Sequence, residues 1–94
     1  MSERASVKVT IVNRLGLHAR PAMCFVDTAS AFPCTVTVCR SGAEGQAVDG
    51  KSIMQMMMLA ATKGTELTVT CEGPDAAKAC EALKRLVESG FEEE

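Results

Sequence analysis

Asn13-Arg14-Leu15-Gly16-Leu17-His18-Ala19-Arg20-Pro21-Ala22 is the stretch from which the fold can be read, because in it an alternating pattern stops and a helical one starts. Upstream, Val7, Val9 and Ile11 are separated by Lys8 and Thr10, the period-2 signature of a half-buried strand. Gly16 breaks that strand, and Pro21 suits a first helical turn, where a missing N–H costs nothing because those donors have no intrahelical partner. Downstream, Ala22, Phe25, Val26, Ala29 and Phe32 recur at helical spacing. They predict a helix of about three turns with one apolar face, ending near Phe32-Pro33. His18, the only histidine, is thereby expected at or beside the helix N-cap.

That position has chemical meaning. The first-turn N–H groups, from Ala19 onward, and the positive end of the helix dipole together form a site for an anion such as phosphate. Arg20 adds a permanent cation whose planar fork matches phosphate oxygens. Imidazole is a nucleophile near neutral pH, and a phosphoryl group on its nitrogen stays reactive enough to be passed on. His18 and Arg20 are therefore the candidate catalytic pair, with Ala19 and Arg20 as phosphate-binding residues of a phosphohistidine relay. The plainer alternative is a surface histidine serving as a weak cap.

Ninety-four residues with a 47% hydrophobic share predict a single domain spanning residues 1–94. No apolar run approaches the ~20 residues that span a bilayer, and Met1-Ser2-Glu3-Arg4 is followed by no signal-peptide core, so a cytoplasmic protein without membrane insertion is expected. A net charge of −2, three Phe and neither Trp nor Tyr argue against nucleic acid and point to protein partners, with the chain itself a monomer. The five cysteines, Cys24, Cys34, Cys39, Cys71 and Cys80, are odd in number and form no C-x-x-C, so they read as reduced, small hydrophobes. A soft-metal site of Cys, Met and His18 would lack a recognisable ligand spacing; neither metal nor cofactor is expected.

Thr35 to Cys39 alternates with β-branched residues, and Ser41 to Gly45 is a turn leading to a short strand from Gln46 to Val48, making a hairpin. After the Asp49-Gly50 turn, Ser52-Ile53-Met54-Gln55 fits a capping box, with Ser52 as N-cap and Gln55 reaching back. The short helix it opens is expected to run to about Ala61. Glu66 to Cys71 alternates again, and Gly73-Pro74-Asp75 opens a last helix whose inward positions are Ala76, Ala79, Leu83, Leu86 and Val87. Glu92-Glu93-Glu94 reads as a frayed acidic end. The order β-α-β-β-α-β-α gives an α/β (α+β) open-faced sandwich, a four-stranded antiparallel sheet with three helices on one face.

At these residues the chain resembles the HPr family, the histidine phosphocarriers of the bacterial phosphoenolpyruvate-dependent phosphotransferase system. Gly16-Leu17-His18-Ala19-Arg20-Pro21-Ala22 resembles the family's active-centre motif without a gap, and Gly50-Lys51-Ser52-Ile53-Met54 resembles its regulatory serine segment. The resemblance implies that His18 is phosphorylated on Nδ1, with Arg20 stabilising the phosphate. Its implied partners are enzyme I as donor and an EIIA-type protein as acceptor, which makes the chain a phosphoryl-transfer intermediate rather than a free-standing enzyme. Ser52 would be the target of an HPr kinase/phosphorylase in lineages that possess one. Met56 to Ala61 and the ending Gly90-Phe91-Glu92-Glu93-Glu94 are similar to the nitrogen-regulatory branch, and Ala60 stands where sugar-type carriers usually have glycine. Gly50-Lys51-Ser52-Ile53 is instead similar to kinase-regulated carriers.

A carrier needs a nucleophile, an anion cradle and a docking surface. Ile53, Met54 and Met57 are the expected docking residues, since so short a helix cannot turn all its apolar residues inward and Met adapts to several partners. Met56 and Leu59 are expected in the core. The competing function is a regulatory adaptor of the same fold that binds enzymes or a transcription factor without relaying phosphate.

Overall fold

A computed structural model describes residues 3–92. The elements are β1 (Arg4–Thr10), α1 (Ala19–Ser30), β2 (Thr35–Arg40), β3 (Val48–Asp49), α2 (Ile53–Met58), β4 (Glu66–Glu72) and α3 (Ala76–Glu88), with 3-10 turns over Glu44–Gln46 and Gly90–Glu92. The strands form one antiparallel sheet in the order β1-β4-β2-β3. The element order along the chain and the four-stranded antiparallel sheet with three helices are those expected from the sequence; which strands neighbour one another is new.

Strand alternation decides which face the helices cover. The register sets Val7, Val69, Val38 and Val48 in one row across all four strands, with Val9 opposite Leu67 and Val36 opposite Cys71. Of these, Val7 and Val48 are partly buried and pack against the core; the others belong to it, together with Phe25 of α1, Met56 of α2 and Leu83 of α3. The alternate positions, among them Ser6, Lys8, Thr37, Thr68 and Thr70, form the polar face. α3 packs on β1 and β4, while α1 packs against both α2 and α3. No helix among the described residues is long and apolar enough to cross a membrane.

The structure departs from the sequence reading at three elements. The third strand is Val48–Asp49, because Gln46 closes a 3-10 turn by donating its N–H to the Ala43 carbonyl (2.9 Å). α2 stops at Met58 instead of about Ala61: the Leu59 and Ala60 N–H groups bond to Met56 and Met57 (3.2 and 3.1 Å), and Ala60 then turns the chain at φ +50°. Pro74 and Asp75 precede α3, where Asp75 is a left-handed N-cap residue (φ 64°) without a side-chain cap bond. On α3 the buried row is Ala76, Ala79, Cys80, Leu83 and Val87, with Leu86 only partly buried. Of the acidic end expected at Glu92-Glu93-Glu94, Glu92 ends the 3-10 turn, and Glu93 and Glu94 lie outside the described residues.

All five cysteines are free thiols, four of them buried and Cys24 half-buried. Burial pushes the Cys71 thiol far above its ordinary range, helped by the neighbouring thiols of Cys80 and Cys34. Cys39 is raised by burial first and the Glu44 charge second.

Candidate functional site

Asn13, buried below the loop, sets its shape. Its Nδ2 donates to the Gly16 carbonyl (2.7 Å), and the Gly16 N–H donates to the Asn13 carbonyl (3.2 Å). Gly16 has φ +71°, and a Cβ there would lie 2.5 Å from the Ala61 carbonyl oxygen. Glycine is thus required twice, for its dihedral and for the close approach. That approach lets the Leu17 N–H donate to Ala61 (2.9 Å), which pins the loop to the turn after α2. The chain's last turn closes the other side: a Cβ at Gly90 would sit 3.7 Å from Asn13 Cβ and Val12 Cγ2, and Phe91 is buried beside it.

From this anchored loop the chain enters α1. His18 is the N-cap residue, in extended backbone (φ −83°, ψ −168°), and its carbonyl accepts from the Ala22 N–H (3.0 Å). Its half-buried side chain makes no cap bond, so the imidazole is not committed to closing the helix. Ala19 and Arg20 are the first two helical residues and Pro21 the third. The first turn therefore offers the Ala19 and Arg20 N–H donors without intrahelical acceptors. It carries no acidic side chain that would compete with an anion, and Arg20 is exposed. The structure thus brings His18, Ala19 and Arg20 together at the positive end of a 12-residue helix.

Ser52 caps α2 as expected, its Oγ accepting from the Gln55 N–H (3.3 Å). Gln55 closes a different ring from the one anticipated. Its Oε1 accepts from the Asp49 N–H (2.9 Å), and the Ser52 N–H goes to the Asp49 carbonyl (3.1 Å). Lys51 reaches across to the end of α1, its Nζ donating to the Phe32 carbonyl (2.7 Å). Buried Gly50 bonds to Val36 (2.8 Å), and a Cβ on it would come within 2.6 Å of Val36 Cγ1. The serine segment is therefore a packed corner between α1, β2 and α2, with Ser52 half-buried at its surface.

Ile53, Met54 and Met57 are exposed, and Met56 and Leu59 are buried, as the pattern predicts. Sequence reasoning missed Met58, which at 75% exposure is nearly as open as Met54 at 79%, and also Val12, Leu15 and Met23. A signal existed for Met58: it follows Met54 by four residues, and Met57 follows Ile53 by four, so the two pairs share one helix face. Among the described residues no group of three His, Cys, Asp or Glu is placed to hold a metal ion.

A family model described as "PTS HPr component phosphorylation site" matches residues 5–89. The phosphocarrier protein HPr of Pseudomonas aeruginosa is 48% identical over 88 residues, covering 94% of this chain and 96% of that protein. The phosphocarrier protein NPr of Proteus mirabilis is 39% identical over 87 residues, covering 93% and 94%. A crystal structure of HPr-C-His from Thermoanaerobacter tengcongensis superposes with a TM-score of 0.87 at 41% identity, covering 96% of this chain and 98% of that one. On the family match, the identities over most of the chain and the superposed fold together, the chain belongs to the HPr family of phosphocarrier proteins.

Proposed function

We propose that this chain, as one domain, relays phosphoryl groups through His18, taking them from enzyme I and giving them to an EIIA-type acceptor. The carrying observation is that His18 is the N-cap residue of α1, at a first turn offering two N–H donors and the Arg20 cation with no acidic side chain among them. A ring nitrogen, Nδ1 by the family resemblance, attacks the phosphorus; the new N–P bond forms as the donor's bond to phosphorus breaks. The Ala19 and Arg20 N–H groups and the Arg20 guanidinium receive the equatorial oxygens, where charge is spread in the transition state. The second transfer runs the same chemistry toward the acceptor. Ile53, Met54 and Met57, with Met58 beside them, form the adaptable docking face. Five free thiols suit a reducing, cytoplasmic setting for a monomeric carrier.

Ser52 is the proposed brake. A phosphoryl group there adds about two negative charges beside Ile53, Met54 and Met57, which raises the desolvation cost of docking. Incubation with phosphoenolpyruvate and enzyme I tests the whole reading. An acid-labile adduct on His18 is expected, absent in His18→Ala and slow to form in Arg20→Ala; an acid-stable adduct, or undiminished transfer by His18→Ala, sinks the assignment. In the same assay Ser52→Asp, which still caps, should slow transfer at near-normal stability. Normal transfer by that variant leaves Ser52 as architecture only. Presenting phospho-His18 carrier to sugar-type and nitrogen-type EIIA proteins in parallel decides the branch.

A further inference from the structure

Arg40 ends β2 on the inward side of the sheet, opposite Leu67 and in the same alternation as Val36 and Val38. Arg40 is exposed at the end of that row, and its guanidinium has a defined target. Its Nε–H donates to the Leu59 carbonyl (3.1 Å) and its Nη2–H to the Ala60 carbonyl (2.9 Å). Both acceptors lie at the C-terminal end of α2, where carbonyls lack helical partners and a cation is favoured.

The chain from this clamp to the candidate site is short. Ala60 is held at φ +50°, a conformation an alanine keeps only when its surroundings impose it. Its N–H is bonded to Met57 and its carbonyl to Arg40. The next residue, Ala61, accepts the Leu17 N–H at 2.9 Å, and Leu17 precedes His18. α2 has only six residues, too few to hold a helix without tertiary support.

From this geometry we infer that Arg40 is a positioning residue for phosphoryl transfer. It fixes the end of the docking helix against the His18 loop, so that the apolar face and the nucleophile meet a partner as one unit. Arg40 touches neither the phosphoryl group nor, by this reading, the partner; it acts through Leu59, Ala60 and Ala61. The inference rests on the relay proposed above.

The test uses the full chain, with phosphoenolpyruvate and enzyme I, and compares the native carrier with Arg40→Gln and Arg40→Lys. Two readouts are taken on each: KM and kcat for the carrier as substrate of enzyme I, and hydrogen exchange at the Leu17 amide. Arg40→Gln should raise KM about five- to tenfold with kcat within about twofold, since docking geometry is disturbed and the reacting groups are not. Its Leu17 amide should exchange at least about tenfold faster while amides in β4 keep their protection. Arg40→Lys keeps the charge but loses the fork, and should recover only part of the KM. An unchanged KM in a folded Arg40→Gln variant overturns the inference, as does an unchanged Leu17 amide. Failure of the native carrier to accept phosphate would instead overturn the relay itself.

Discussion

Replacing Ala60 by glycine should stabilise this protein, and the structure supplies the magnitude. Ala60 sits at φ +50° with its side chain exposed, so truncating its methyl group forfeits little burial. The left-handed conformation costs an L-residue roughly 1–2 kcal/mol, which glycine avoids. Against that stands the greater freedom of glycine in the unfolded chain, about 0.4–1 kcal/mol. The difference leaves about 0.5–1 kcal/mol in favour of Ala60→Gly. In a domain of this size that corresponds to a rise in Tm of about 2–8 °C. Both backbone bonds at the position, N–H to Met57 and carbonyl to Arg40, survive the change. Ala61→Gly is the internal control. Ala61 is buried and has no left-handed φ, so there glycine should destabilise, by about 1 kcal/mol. Thermal and urea unfolding of the two variants read the signs directly. If Ala60→Gly unfolds at or below the temperature of the native chain, the turn is not strained as described, and the account of how α2 ends is wrong.

Gly16→Ala should lose about 1–3 kcal/mol, because its Cβ would meet the Ala61 carbonyl at 2.5 Å in a left-handed residue; chemical denaturation measures it, and a loss below ~0.5 kcal/mol would refute the close approach. The buried thiols give a pH dependence. Cys71 titrates higher in the folded chain than the ordinary 9.0, so the folded state holds its proton longer. That contribution to stability is fully present below pH 9 and is lost as the pH rises beyond it; unfolding free energies measured from pH 7 to 10.5 should decline, and a Cys71→Ala variant should decline less steeply. With a thiol reagent Cys24 should react first and the four buried thiols only on unfolding, as mass spectrometry of timed samples can show.

Much of the fold was legible because five of the seven elements carry long, clean periods. β1, β2 and β4 alternate over six or seven residues, and α1 and α3 repeat over twelve and thirteen. Two residues carry no period, which is why β3 was misplaced by the turn that precedes it. At α3 the Pro74-Asp75 pair has the composition of a first turn, but Asp75 in a left-handed conformation starts the helix one step later. His18 at the N-cap was legible from Gly16 and Pro21, both local signals. Arg40 was not, since nothing near it in sequence announces a bond to carbonyls 19 and 20 residues away. Gln55 likewise looked like half of a capping box, and only the turn at Asp49 reveals its nearer acceptor role.

The sheet order has a consequence for how the protein is made. β1 has one strand partner, β4, so Arg4 waits for Glu72 and Thr10 for Glu66. At synthesis rates of about 5–20 residues per second, the roughly 60 intervening residues keep that first strand unpaired for on the order of 3–12 s. The His18 loop waits longer still, because Gly90, which packs beside Asn13, follows β4 in the chain. A truncated nascent chain thus carries the nucleophile on an unanchored loop, and arrest-release measurements on ribosome-bound chains should show folding force only after β4 has emerged.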